Sequence, residues 1–121
     1  MDQKIAYSYD VDIDAIFIKI VDDYDYDQSI EFEFGIIMDF DINGTPVALE
    51  ILDFSSLFGF DKYLLKNIKK LGMKINVDCC ISLDLKVDLQ IENEMSQYDL
   101  NKVAANNQKF PKMRYSYSIN W

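Results

Sequence analysis

Apolar and polar residues alternate along most of the chain, and a period of two marks a strand with one buried face. Ile5, Tyr7 and Tyr9 alternate with Lys4, Ala6 and Ser8. Ile16, Ile18 and Ile20 form a second set, with Phe17 and Lys19 on the other face. Ile30, Phe32, Phe34, Ile36, Met38 and Phe40 form a third, interleaved with Glu31, Glu33 and Asp39. Val47, Leu49 and Ile51 form a fourth, opposite Ala48 and Glu50. These sets predict an antiparallel meander of about four strands over residues 4–53. Asn43-Gly44 is a hairpin signal, because a type I′ turn needs positive φ at both central residues. A two-residue loop there pairs Ile42 with Thr45, Phe40 with Val47, Met38 with Leu49 and Ile36 with Ile51. A slip of one residue would carry Asp39 and Asp41 into the core, so the pattern specifies the register.

The second half predicts one helix and further antiparallel strands. Asp61 is a natural N-cap, and Phe60 before it can staple to Leu65. Leu64, Leu65, Ile68 and Leu71 make an apolar stripe with Lys62, Lys66, Lys69 and Lys70 outside it, and Gly72 stands where a helix would end. A long alternation follows, with Met73, Ile75, Val77, Cys79, Ile81, Leu83, Leu85, Val87, Leu89 and Ile91 on one face. A single strand of that length would run roughly 60 Å, so it must bend or fold back. Unchanged parity requires an odd loop, such as Asp78-Cys79-Cys80 between Val77 and Ile81, although these are poor turn residues. Residues 99–107 read as a short helix, and Met113, Tyr115, Tyr117, Ile119 and Trp121 as a last strand. The whole is an α+β domain over residues 1–121, a β-meander module (4–58) with a helix-plus-strands extension (59–121).

Some apolar residues face away from these sets. Phe17 and Ile37 do so, as do Leu52 and Phe54, the latter beside Phe58. Apolar residues on both faces of a sheet imply a cover on both. The helix can cover one face, so the second half or another copy of the chain must cover the other. A homo-oligomer is therefore expected.

Charge narrows the partners. Residues 1–60 hold 14 acids against Lys4 and Lys19, a balance of −12, while residues 61–121 hold 10 bases and 7 acids, a balance of +3. The acidic half repels phosphate backbones, so nucleic acid is not expected, and a basic protein or a cation is favoured. There is no histidine, which excludes Ser-His-Asp and Cys-His catalysis. No apolar run approaches the ~18 residues of a membrane span, so no membrane partner is expected. The first ten residues lack a basic-then-apolar leader, so a cytoplasmic location is expected, with Cys79 and Cys80 as free thiols. Cys79 reads as a small buried hydrophobe.

Two segments carry a recognisable pattern. They are Tyr9-Asp10-x-x-x-Asp14-Ala15-Ile16-Phe17-Ile18-Lys19-Ile20, and Gly35-Ile36-Ile37-Met38-Asp39-Phe40-Asp41-x-Asn43-Gly44-x-Pro46-Val47-Ala48-Leu49-Glu50-Ile51-Leu52-Asp53-x-Ser55. Over residues 4–58 the chain resembles the domain-of-unknown-function family 2283, small acidic prokaryotic proteins. Ala48 stands where that family has glycine, and Phe54 where it has a small residue. The resemblance implies an antiparallel β-meander and no established activity. Some members sit beside small toxin-like genes, which implies an antitoxin or inhibitor of a basic partner as one alternative.

Carboxylates supply the only candidate chemistry. Asp39, Asp41, Asn43, Thr45 and Glu50 fit the twelve-residue EF-hand spacing, in which they would offer a cation side-chain and carbonyl oxygens. Both flanks alternate as strands rather than helices, so the hairpin reading is preferred. Asp10, Asp12 and Asp14 cluster in the first connection, and Asp22, Asp23, Asp25 and Asp27 in the second. Such clusters can be solvated loops, weak cation sites or contacts for a protein partner. A hydrolase ranks last, because no nucleophile–base pair is visible. The favoured expectation is a non-enzymatic protein–protein interaction module without a cofactor. Its contact candidates are Asp10, Asp12, Asp14, Asp22, Asp23, Asp25, Asp27, Phe17, Phe54 and Phe58. A weak divalent-cation-binding protein is a further alternative.

Overall fold

A computed structural model describes residues 3–20 and 23–119. Its first sheet comprises β2 (Ala6–Asp10), β3 (Ala15–Lys19), β4 (Tyr26–Glu33), β5 (Ile36–Asp41) and β6 (Pro46–Ile51). A short helix α1 (Phe54–Phe58) and a 3-10 helix (Lys62–Asn67) follow. The second sheet comprises β1 (Gln3–Lys4), β7 (Ile68–Val77), β8 (Cys80–Ile91), β9 (Glu94–Ala105) and β10 (Met113–Ile119). The α+β expectation holds in coarse form, as antiparallel sheets with one short helix.

The first sheet differs from the expected meander. Its order is β2-β3-β6-β5-β4, so β6 returns to lie between β3 and β5 in a Greek-key arrangement. The third apolar set is two strands rather than one. It breaks at Phe34-Gly35, where Gly35 takes φ 86 and Phe34 is 88% exposed. A two-residue turn would flip the parity of the apolar set. A bulge between Glu31 and Glu33 restores it, so Ile30 still pairs with Met38. The register across the next hairpin is the expected one for Ile36↔Ile51 and Met38↔Leu49. Near the turn a bulge intervenes and Phe40 pairs with Pro46 instead of Val47. Within the loop only Gly44 has positive φ, and Gly44 N–H donates to the Asp41 carbonyl at 3.0 Å. This is a three-residue loop with a left-handed glycine, not a type I′ turn. The Asp41 carboxylate selects it by accepting from the N–H groups of Asn43 and Thr45, each at 2.9 Å.

The second half forms strands where helices were expected. Asp61 does cap, accepting from Tyr63 N–H at 2.9 Å, but the helix is 3-10 and ends at Asn67. Ile68 onward joins β7, and Gly72 sits mid-strand. The odd-numbered alternation that starts at Leu71 matches β8 residue for residue (Leu71↔Val87, Met73↔Leu85, Ile75↔Leu83), and this pairing outweighs the helical stripe. The long alternation folds back as a hairpin, with Val77 opposite Ile81 across a three-residue loop. Asn106 braces that loop: its side-chain amide donates to the Asp78 carbonyl at 2.8 Å and its N–H to that of Cys79 at 3.3 Å. Cys79 is therefore exposed at the tip rather than buried, and Cys80 is exposed beside it. Residues 99–105 belong to β9 rather than a helix, with Leu100 buried against Leu85, and residues 106–107 lie beyond its end. Among the described residues no helix is long and apolar enough to cross a membrane.

One core unites the sheets. Ile16, Ile18, Ile36, Met38, Phe40, Leu49 and Ile51 from the first meet Leu71, Met73, Ile75, Leu83, Leu85 and Val87 from the second. The second half thus supplies the cover that the first sheet requires. Phe54 is fully buried and packs edge-on against Phe58, with ring centroids 5.2 Å apart. Phe58 in turn stacks on Phe60 and meets Tyr98. Of the three phenylalanines expected to contact a partner, Phe54 is buried in this cluster, Phe58 is partly buried and Phe17 lies elsewhere, exposed. Phe110 stacks on Phe40 at 4.2 Å and closes the end near Gly44.

Two glycines with the same backbone strain separate packing from conformation. At Gly44 (φ 78) a Cβ would lie 2.8 Å from Pro111 Cδ and 3.0 Å from Phe110 Cδ1, whereas at Gly59 (φ 73) it meets nothing within 4 Å. Gly59→Ala should cost about 1 kcal/mol in urea unfolding, and Gly44→Ala about 2–3 kcal/mol. Equal losses would show that the Phe110–Pro111 contact contributes nothing.

Candidate interaction surface

The outer face of the first sheet has a small apolar centre among carboxylates. Pairing sets Phe17 beside Glu50 and Ile37 in one row, and Lys19 beside Ala48 and Asp39 in the next. Phe17 remains 39% exposed. Two shallow depressions flank it. One, of about 220 Å³, is lined by Phe17, Lys19, Tyr24, Asp39, Ala48 and Glu50. The other, of about 280 Å³, lies over Ala6, Ser8 and Phe17 on the β2 side. The small side chains of Ala6 and Ala48 are what leave these hollows open. Asp10, Asp12, Asp23, Asp25 and Asp27 are exposed. Asp22 lies outside the described residues.

Asp14 does not belong to this surface. It takes φ 52, and its carboxylate accepts from the Tyr9 hydroxyl, from Ser55 Oγ at 2.7 Å and from Ser55 N–H at 3.1 Å. Its carbonyl accepts from Phe54 N–H at 2.9 Å. Asp53, at the N-cap position of α1, makes no side-chain cap bond. Asp14 performs the capping instead, from 41 residues away. Asp10 is a turn residue in the ordinary sense, accepting from Asp12 N–H at 3.0 Å.

The five residues with EF-hand spacing are dispersed by the hairpin. Asp41 is committed to its own turn, and Asp39 accepts from Ser29 Oγ at 2.7 Å. Glu50 stands beside Phe17 on the outer face. Among the described residues no group of three or more acidic or cysteine side chains is gathered as a metal would require. The spacing in sequence arises from a β-turn, whose Asp and Asn-Gly positions coincide with those of a calcium loop.

Residues 6–55 match the model of a family described as a protein of unknown function, DUF2283. Over these residues the chain is similar to DUF2283. No curated protein and no solved structure matches the chain. The DUF2283 segment begins at the first residue of β2 and ends at Ser55, so it contains the whole first sheet and both partners of the Asp14–Ser55 link. That link was missed in the sequence because its residues lie far apart. The signal was there: Asp14 and Ser55 both fall in the quoted motifs.

Four phenols are held protonated. Burial raises Tyr7, Tyr9, Tyr115 and Tyr117 above the ordinary tyrosine value, and for Tyr9 the Asp14 carboxylate that accepts its proton adds to the effect. Below about pH 10 these phenols are neutral in folded and unfolded chains alike. Above it the unfolded chain releases protons that the folded chain keeps, so stability falls as pH rises. Urea midpoints should be flat from about pH 8 to 9 and drop steadily above about 10. A midpoint unchanged at about pH 11 would contradict these assignments.

Proposed function

We propose that this chain is a non-enzymatic interaction module whose first sheet presents its outer face to a basic protein. The observation that carries this reading is Phe17, an aromatic left 39% exposed on a sheet face beside Glu50 and Asp39. An apolar centre within a charged rim is the composition of a protein-binding patch. The negative field would speed encounter with a positive partner and make binding weaken with salt. An inhibitor of a basic protein is one form such a module takes.

The test is native mass spectrometry of the tagged full chain recovered from its own cells at low salt. A stoichiometric basic companion is expected, with about tenfold weaker retention in Asp23→Asn/Asp25→Asn/Asp27→Asn and in Phe17→Ser. A companion retained equally by both variants, or a homo-oligomer without one, would overturn the proposal.

A further inference from the structure

The outer face of the second sheet contains a glycine that its backbone does not need. Gly72 lies in the middle of β7, and it is not among the positive-φ residues, which are the usual reason for glycine. A mid-strand glycine weakens a strand and otherwise marks a place where something approaches the sheet closely. Pairing places Ser118 on one side of Gly72 and Lys86 on the other. In the next row Lys74 lies between Ser116 and Asp84. A hollow of about 130 Å³ lies there, lined by Gly72, Met73, Lys74, Lys86, Ser116, Tyr117 and Ser118.

The charges around it are not used up. Asp84 is the cross-strand neighbour of Lys74 and lies two residues from Lys86, and Asp99 on β9 is the cross-strand neighbour of Lys86. Neither Lys74 nor Lys86 lies within ion-pair distance of a carboxylate among the described residues. The Asp84 Oδ1 atom is itself buried without a hydrogen-bond partner. The two ammonium groups are thus left to the hollow, together with two serine hydroxyls that are free to donate. Two cations and two hydroxyl donors around one cavity match the needs of a tetrahedral oxyanion, whose ionised oxygens accept hydrogen bonds.

We infer that the Gly72 hollow is a binding site for a phosphate group, free or carried by a small molecule. Lys74 and Lys86 supply the charge, and Ser116 and Ser118 supply directed hydroxyl donors. The Asp84 and Asp99 carboxylates oppose the anion, so affinity is modest and selectivity rests on the two serine hydroxyls and the shape of the hollow. The hollow lies on the sheet opposite the Phe17 surface, so its failure leaves the proposed protein contact untouched.

The test is a titration of the full chain with inorganic phosphate, followed by amide NMR shifts at low ionic strength. Saturable shifts centred on Gly72, Ser116 and Ser118 are expected, with Kd of about 1 mM or tighter. Acetate and chloride at matched ionic strength should give shifts at least about fivefold smaller. Lys74→Gln/Lys86→Gln should weaken phosphate binding about tenfold or more, and Ser116→Ala/Ser118→Ala should weaken it without changing the charge. Lys62→Gln/Lys109→Gln, which removes the same charge elsewhere, should leave it unchanged. The absence of saturable shifts at these amides, equal responses to acetate, or equal losses in the control variant would each overturn the inference. A phosphate monoester such as glycerol phosphate distinguishes the source: tighter binding than inorganic phosphate means a carried group, and equal or weaker binding means the free ion.

Discussion

A sheet with one wholly apolar face cannot stand alone in water, and this constraint organises the molecule. The inner face of the DUF2283 segment consists of Ile16, Ile18, Ile36, Met38, Phe40, Leu49 and Ile51, all essentially inaccessible. Each such side chain contributes about 1.5–3 kcal/mol when removed from water. Residues 68–119 provide the matching surface, a second sheet that faces the first with odd-numbered side chains on β7, β8 and β10 and even-numbered ones on β9. The chain also ties the sheets at their margins. It leaves β1 in the second sheet and enters β2 in the first across the single buried residue Ile5. At the other margin Lys102 on β9 meets Glu33 on β4 at 2.6 Å. That ion pair is partly exposed and adds little energy, and it marks where the two edges adjoin.

Once the core is closed, the two outer faces are left for other work, and they differ. The first carries carboxylates around Phe17 and a single lysine, Lys19. The second alternates signs, with Lys70, Lys74 and Lys86 against Asp84, Asp88 and Asp99. The charge asymmetry between the halves of the sequence therefore becomes an asymmetry between faces of one sandwich. The acidic residues also divide by role. Asp14, Asp41 and Asp61 hold turns and helix starts, while Asp12, Asp23, Asp25 and Asp27 are exposed.

Much of this was legible in the sequence where one physical cue dominated. The alternation set Met38 against Leu49, and unchanged parity required an odd loop if the long alternation folded back, as it does between Val77 and Ile81. Misreadings arose where two cues competed. The Leu64–Leu71 stripe suits a helix, but the strand pattern running on from Leu71 had a full-length partner in β8. The apolar set from Ile30 to Phe40 looked continuous because a bulge conceals the turn at Gly35. Asn43-Gly44 suggested a two-residue turn, yet the Asp41 carboxylate favoured a longer one. Polar residues 99–107 resembled a helix surface, but 99–105 belong to an edge strand, where one row faces solvent. Distant links such as Asp14–Ser55 leave no periodic trace at all.

Native-state hydrogen exchange at increasing urea tests the shared core most directly. The amides of Met38 and Leu49 on the first sheet and of Ile75 and Leu85 on the second should exchange through one common opening, with the same free energy and the same urea dependence. If the DUF2283 strands open at lower free energy while β7 and β8 stay protected, the two sheets do not depend on each other, and the account fails.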